Sequence, residues 1–188
     1  MTLSPARLAA FLTRDAAQGR ESQLRRYMRL GAPSEILQLI ELGGGQAMGT
    51  KCERLLRSEW PSLLKREAGR NTGYDHRSQC TVTSEWKKLE QKTSGLWSDD
   101  PLSFRWQHIE PEHAWMGLLL VGIAVDCVKV WGMTREGFQA CRDAGLATRQ
   151  GNEEGESYQG YWMQCSAVQA HLTLLADESD LQAFVSAL

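Results

Sequence analysis

The sequence lacks the features that would assign it at once to a secreted, zinc-binding or membrane class. Its five cysteines include no closely spaced pair, which argues against a disulfide framework and excludes a CxxC-type zinc site. The longest uncharged apolar run, Met116 to Val125, has ten residues, about half of what a membrane-spanning helix needs. The first residues show no charged start followed by an apolar stretch and a cleavage site. We therefore expect a cytoplasmic protein with no membrane partner.

Composition indicates a globular chain. Hydrophobic residues make up 42% and charged residues 23%, and there are only 17 glycines and 5 prolines, which excludes a disordered or collagen-like protein. A length of 188 residues suits a single domain. A domain of this size buries roughly 70% of the surface of its unfolded chain, so it needs neither a disulfide nor a metal to fold.

Charge is unevenly distributed along the chain. Residues 1–94 hold 16 Lys and Arg against 10 Asp and Glu, whereas residues 95–188 hold 5 against 13. Because phosphate contacts come from Lys and Arg, this asymmetry favours a polyanion as partner of the first half. Solvent-facing helices of unequal charge explain the same numbers equally well.

The hydrophobic pattern predicts helices first, then strands, then helices. Residues 1–45 are helical in pattern, from Ser4-Pro5 as a helix start to an apolar stripe of Ile36, Leu37 and Ile40. Thr50 is expected to cap a helix over 51–60. Strand patterns follow at 74–93, 104–109, 116–124, 127–131 and 161–165, and later helices at 135–144 and 177–187. This order predicts an α/β domain with a sheet of mixed direction.

One group of charged residues has a spacing suited to catalysis. In a strand, residues i and i+2 point to the same face, so Glu90 and Lys92 would lie side by side. Asp75 on a neighbouring strand and Glu90 can together hold a hard divalent ion through oxygen ligands. Lys92 can orient water bound to that ion, and Glu53 on the preceding helix can add a third carboxylate. Such a site suits phosphodiester hydrolysis.

These residues resemble the PD-(D/E)xK nuclease superfamily, in its restriction-endonuclease-like branch. The resemblance covers residues 46–138 and rests on five segments: Met48-Gly-Thr-Lys-Cys-Glu53, Tyr74-Asp75-His76, Glu90-Gln-Lys-Thr-Ser94, Trp106-Gln-His-Ile109 and the strand pair around Asp126. The core of that fold runs helix, three antiparallel strands, helix, strand. Its acidic residue lies on the first or second strand, and its ExK motif lies on the next.

The resemblance implies a restriction-endonuclease-like core over 46–138, with a central mixed sheet flanked by helices. Residues 1–45 would be a helical N-terminal extension, and 139–188 a C-terminal strand and helix. Asp75 and Glu90 would bind Mg²⁺, Lys92 would assist the attacking water, and Glu53 would be an auxiliary acid.

Two departures from the family pattern and one competing motif accompany this assignment. Tyr74 replaces the usual proline before the aspartate, and Gln91 fills a position that is usually apolar. Glu85-Trp86-Lys87 is a second ExK. We prefer the motif at residues 90–92 because Leu89 and the Thr93-Ser-Gly95 exit fit a strand better, but either pair remains open. A solvated ion pair is the alternative interpretation of Glu90 and Lys92.

Several further residues are candidates for contact with DNA. Arg70 and Arg77 are placed to touch backbone phosphates, although exposure to solvent explains them equally well. Gln107 is suited to an active-site water or an adenine edge. Trp97, in a predicted loop, is the tryptophan best placed to stack on a base, since most large aromatics in such a domain belong to the core. Lone histidines such as His76 and His108 are more often structural than ligands.

The resemblance implies a magnesium-dependent endonuclease acting on double-stranded DNA, and we favour a sequence-specific type II restriction enzyme. Alternatives are a repair or phage-type nuclease, a non-catalytic nucleic-acid-binding or subunit-docking member of the fold, and a helical regulatory protein. One site per chain and two strands to cut predict a homodimer. The stripe of Ile36, Leu37 and Ile40 is the candidate dimer surface, although such stripes more commonly pack onto their own domain.

Overall fold

The computed structural model describes residues 22–41, 45–66, 73–151 and 159–188. The predicted helix start at Ser4-Pro5 and the candidate Arg70 lie outside these residues. The helices are α1 (Gln23–Arg29), α2 (Ser34–Glu41), α3 (Gly45–Glu59), α4 (Arg135–Asp143), α5 (Cys165–Val168) and α6 (Glu178–Ser186), with a 3₁₀ turn at Gln169–His171. The strands are β1 (Lys65–Arg66), β2 (His76–Gln79), β3 (Trp86–Gly95), β4 (Arg105–Ile109), β5 (Gly117–Ile123), β6 (Val128–Thr134), β7 (Ala147–Arg149), β8 (Tyr161–Gln164) and β9 (Thr173–Leu174).

The described residues form a mixed α/β fold around a central mixed sheet, as the sequence predicts. Six strands lie in the order β1-β2-β3-β5-β6-β9. Strands β1, β2 and β3 are antiparallel to one another, β3 and β5 run parallel, and β5, β6 and β9 are again antiparallel. The apolar run at the centre of the sequence is β5, and all seven of its residues are buried.

Strand β5 is buried on both faces because two phenylalanine rings pack against glycines of the sheet. A Cβ added to Gly122 would lie 2.9 Å from the ring of Phe104, which precedes β4. On the other face, a Cβ added to Gly132 would lie 2.7 Å from the ring of Phe184 on α6. The sheet therefore has helix α6 on one side and the β4 segment on the other.

A second, three-stranded sheet covers the central sheet on the β4 side. Its order is β4-β8-β7, antiparallel throughout. The sequence predicts β4 and β8 as strands, but not that they form a sheet of their own. The two sheets meet through Trp106 on β4, whose ring lies 5.6 Å from that of Trp131 on β6 and whose Nε1–H donates to the carbonyl of Val121 (2.9 Å).

Two of the predicted helix starts are confirmed by their capping bonds. The hydroxyl of Thr134 accepts from Gly137 N (3.0 Å), and the carboxylate of Asp177 accepts from Asp180 N (3.0 Å). Thr50 is different, because α3 begins at Gly45 and Thr50 lies inside the helix. The segment at 81–83, part of a predicted strand region, is a turn that joins β2 to β3.

The apolar stripe of α2 packs into the protein itself. Ile36 is buried, and Leu37 and Ile40 pack against the same core. The stripe is therefore not a free surface for a second chain, and the predicted dimer surface is wrong at this position. Among the described residues, no helix has the length and apolar character to span a membrane.

Tyr27 ties α1 to the ends of two central strands. Its buried hydroxyl donates to the carbonyl of Ile123 and accepts from Leu96 N (2.9 Å). Burial raises the pKa of Tyr27 to about 12, although the bond from Leu96 and the charge of Arg26 act in the opposite direction. The neutral phenol is therefore the form that the folded protein favours.

Replacing Tyr27 with Phe should lower the free energy of unfolding by about 1–3 kcal/mol near neutral pH, because two buried backbone groups lose their partner. A folded pKa above the unfolded value stabilises the protein fully below about pH 10, and this stabilisation is lost as pH rises through about 12. Urea unfolding at about pH 8 and about pH 11 should therefore show a smaller gap between wild type and Tyr27→Phe at the higher pH. A gap that is independent of pH would contradict this role.

Candidate active site

A polar cleft of about 500 Å³ lies where β3 extends beyond its neighbour β2. Pairing of the two strands ends at His76 and Leu89, so the following part of β3 is bordered by α3 instead. Strand β4 forms the remaining wall. The lining residues are Gln46, Gly49, Thr50, Glu53, Asp75, Glu90, Gln91, Lys92, Thr93, Arg105, Gln107 and His108.

Helix α3 presents one face to the cleft and another to the core. The lining residues of α3 recur at helical spacing, from Gln46 to Glu53, while Cys52 and Leu56 are buried. Glu53 Oε2 lies 3.6 Å from Arg57 Nη1, one turn further along the helix. Burial and, after it, the negative charge of Asp75 raise the pKa of Glu53, and the Arg57 charge only partly offsets this.

Glu90 and Lys92 lie side by side on β3, as the two-residue spacing predicts. Lys92 Nζ is 2.7 Å from Glu90 Oε1, and Glu90 is only 8% exposed. Burial raises the pKa of Glu90, the charge of Lys92 opposes the rise, and the charge of Asp75 adds to it. The carboxylates of Glu53, Asp75 and Glu90 therefore share this cleft with the ammonium group of Lys92.

Asp75 is fixed against β3 by two hydrogen bonds. It directly precedes β2, and its backbone N–H donates to the carbonyl of Leu89 (3.0 Å). Its Oδ2 accepts from Gln91 N (2.8 Å), in the middle of the ExK segment. Because the carboxylate is bonded to the backbone of the strand that carries Glu90 and Lys92, its position relative to them is held by the sheet.

A polar chain along one side of the cleft accounts for the buried Gln91. An arginine can only donate, so His76 Nδ1 accepts from Arg57 Nη1 (3.3 Å) and Nε2–H donates to Gln91 Oε1 (2.9 Å). The Gln91 amide in turn donates to Thr93 Oγ1 (3.1 Å). Burial lowers the pKa of His76 to about 4, which keeps the ring neutral. Gln91 is thus a buried polar residue with buried polar partners, and His76 is a structural residue.

The competing pair Glu85 and Lys87 lies elsewhere. The two side chains pair with each other (3.0 Å), and the Glu85 side chain is 66% exposed. Neither residue is among the described residues that line the cleft. The structure thus brings Glu90 and Lys92, rather than Glu85 and Lys87, to Asp75 and Glu53.

The residues that the sequence suggests for contact with DNA do not all lie at the cleft. Gln107 lines the cleft. Trp97 is 47% exposed. Its ring centroid lies 4.8 Å from the guanidinium carbon of Arg105, which lines the cleft. Arg77 does not belong to the cleft lining, and its guanidinium lies over the ring of Trp86 (5.2 Å).

Sequence reasoning missed Arg105 and used His108 only in passing. Arg105 and Gln107 alternate with the buried Trp106, so a two-residue period would have placed both on one exposed face of a strand. His108 also lines the cleft, and its φ of 57° lies at an irregularity in the β4–β8 pairing. Such bulges redirect side chains next to functional sites.

Within the described parts of the chain, no group of three or more His, Cys, Asp or Glu side chains is arranged to hold a metal ion. Comparison with protein-family models and with curated protein sequences finds no match to this chain. The residues of the cleft themselves are therefore what indicates its chemistry.

Proposed function

We propose that this protein is a magnesium-dependent endonuclease that hydrolyses phosphodiester bonds in double-stranded DNA. The observation that carries the proposal is the cleft in which Glu53, Asp75, Glu90 and Lys92 come together from a helix, the start of β2 and the middle of β3. This is the set of residues that the resemblance to the PD-(D/E)xK nucleases implies.

The order of elements supports a restriction-endonuclease-like core. Helix α3 is followed by the antiparallel strands β1, β2 and β3, and β5 then pairs in parallel with β3. One element differs from the core that the resemblance implies, because the segment between β3 and β5 contains strand β4 rather than a helix.

The donor set suits magnesium in one mode of binding. Mg²⁺ is commonly held by one or two carboxylates together with substrate phosphates and water, rather than by a complete protein cage. Asp75 and Glu90 supply two such carboxylates. Burial raises the pKa values of Glu90 and Glu53, the charge of Asp75 adds to the rise, and a bound cation would favour the ionised forms. When bound, the ion would activate a water and neutralise charge on the phosphate.

The chain's own residues would position the reacting groups. Gln91 N–H holds the Asp75 carboxylate in place, and Glu90 holds the Lys92 ammonium. Lys92 would donate a hydrogen bond to the attacking water or to a phosphate oxygen, and so stabilise the charge that develops there. In hydrolysis the water oxygen bonds to phosphorus and the P–O3′ bond breaks, which leaves a 5′-phosphate and a 3′-hydroxyl.

Incubation of the purified chain with supercoiled plasmid and Mg²⁺ tests the proposal. Discrete fragments would identify a sequence-specific restriction enzyme, and a smear would identify a nuclease of the repair or phage type. Binding to DNA without any cleavage would contradict the proposal and favour the non-catalytic member of the fold.

We still expect a homodimer, because each chain has one such site and the duplex has two strands to cut. The apolar stripe of α2 is no longer the expected dimer surface. Two protomers on one target should convert supercoiled plasmid to linear DNA with little nicked intermediate. Light scattering should then report about twice the mass of one chain. Persistent nicked circles together with the mass of a monomer would contradict a dimer.

A further inference from the structure

The rim of the cleft carries an arginine held against two indole rings. The guanidinium carbon of Arg105 lies 4.8 Å from the ring centroid of Trp97 and 5.5 Å from that of Trp162. We call these three residues the rim stack. Arg105 lines the cleft, Trp162 is partly buried, and Trp97 is 47% exposed. The other tryptophans near the cleft wall, Trp106 and Trp131, are core residues at 0% and 8% exposure.

The loop that carries Trp97 is held by hydrogen bonds along its length. Trp97 N–H donates to Ser103 (3.2 Å), which closes the loop next to the bridge between Leu96 and Phe104. From α1, Arg26 donates to the Leu96 carbonyl (2.9 Å), and Arg29 forms a two-pronged pair with Asp99 (2.8 and 3.0 Å). A ligand that stacks on Trp97 would therefore meet a ring that is already ordered, so little entropy is lost on binding.

The chemistry of the rim stack fits a nucleotide. An exposed indole stacks on the face of a nucleobase, and a guanidinium beside it can pair with the phosphate of the same nucleotide. In a continuous duplex, neighbouring bases cover both faces of each base. Only a base that has left the stack can lie on Trp97.

We propose that the rim stack binds an unpaired nucleotide next to the phosphate that is cut. The substrate would then be duplex DNA that carries an unpaired base, with Trp97 against the base and Arg105 on its phosphate. This inference rests on the proposed nuclease function, because Arg105, which lines the same cleft as the carboxylates, is what links stacking on Trp97 to cleavage.

The chain supplies a matched control for the stacking surface. Trp86 is 45% exposed, close to the value for Trp97, and the guanidinium carbon of Arg77 lies 5.2 Å from its ring centroid. Trp86 is not among the described residues that line the cleft. A general affinity of exposed tryptophans for DNA would involve both sites, whereas the proposal involves only Trp97.

The test compares two duplexes that differ by one unpaired 2-aminopurine, with Ca²⁺ in place of Mg²⁺ to suppress cleavage. The wild-type chain should bind the duplex with the unpaired base about five- to a hundredfold more tightly and should quench its fluorescence. Trp97→Leu should remove the preference and the quenching, and Trp97→Phe should keep most of both. Trp86→Leu should behave like wild type.

The outcomes separate this inference from the proposed function. Equal affinity for the two duplexes, or equal losses in Trp97→Leu and Trp86→Leu, would overturn the rim stack as a nucleotide site even if plasmid is cut in Mg²⁺. Preference and quenching that depend on Trp97, without cleavage of either duplex in Mg²⁺, would support the rim stack and overturn the nuclease.

Discussion

Magnesium-dependent cleavage of plasmid DNA should fall at least about 100-fold when Asp75, Glu90 or Lys92 is replaced by alanine. Each replacement removes either a carboxylate that would hold the ion or the ammonium that would position the water. All three side chains line the cleft rather than the apolar core, so folding should be largely retained, although Glu90 is mostly buried and paired with Lys92. Initial rates of plasmid cleavage measure the effect, and thermal unfolding followed by circular dichroism checks the fold. Asp75→Asn is a further variant for checking that the fold is retained, because the amide oxygen of the asparagine can still accept the hydrogen bond from Gln91 N.

The Glu85 and Lys87 pair is the internal control for this prediction. Lys87→Ala should cut DNA at the wild-type rate, because Lys87 pairs with an exposed carboxylate outside the cleft lining. An inactive Lys87→Ala together with an active Lys92→Ala would move the catalytic motif to Glu85-Trp86-Lys87.

Replacing Trp106 with alanine should cost about 3–5 kcal/mol of unfolding free energy, the range for large aromatics in protein cores. Trp106 is fully buried between the two sheets, its ring is 6.3 Å from that of Phe104, and its N–H bonds to Val121 O. The variant would leave a cavity and would lack the hydrogen bond that the indole donates to Val121 O. Urea unfolding followed by circular dichroism measures the loss.

Trp86→Ala is the matched substitution for this stability prediction. Its ring is 45% exposed, so its removal should change the unfolding free energy by less than about 0.5–1 kcal/mol. Similar losses of unfolding free energy in Trp86→Ala and Trp106→Ala would mean that the packed rings of Phe104, Trp106 and Trp131 do not hold the two sheets together.

Local features of the fold were predictable because they depend on neighbouring residues. The apolar run of β5 and the helices that follow Thr134 and Asp177 depend on short stretches of sequence, and the structure has them within a residue or two of the predicted bounds. The start of α3 differs from the prediction, because Thr50 was expected to cap the helix, whereas the helix begins at Gly45.

The second sheet was not predictable, because strand partners far apart in sequence leave no local signal. The alternation of β4 identifies it as a strand, but its pairing with β8 depends on which surfaces remain free after the central sheet has formed. The same limit applies to the site. The spacing of Glu90 and Lys92 puts them on one face, but the approach of Arg105 depends on the position of the second sheet.

The buried Gln91 shows how a polar residue at an expected apolar position can be physically consistent. An apolar residue at this position would pack against other apolar groups, but here His76 occupies the space beside it. A buried imidazole needs hydrogen-bond partners, and Arg57 and Gln91 supply them. The sequence alone showed an exception, and only the structure shows that the two polar residues satisfy each other.

The pairing of β4 with β8 means that the two walls of the cleft are completed at different times during synthesis. Asp75 and Glu90 meet across the short β2–β3 hairpin, a local contact that forms readily. The wall that carries Arg105 is held by Gln164 and Met163, which leave the ribosome well after the β2–β3 hairpin. We therefore expect a growing chain to assemble its acidic residues well before the surface that would receive DNA.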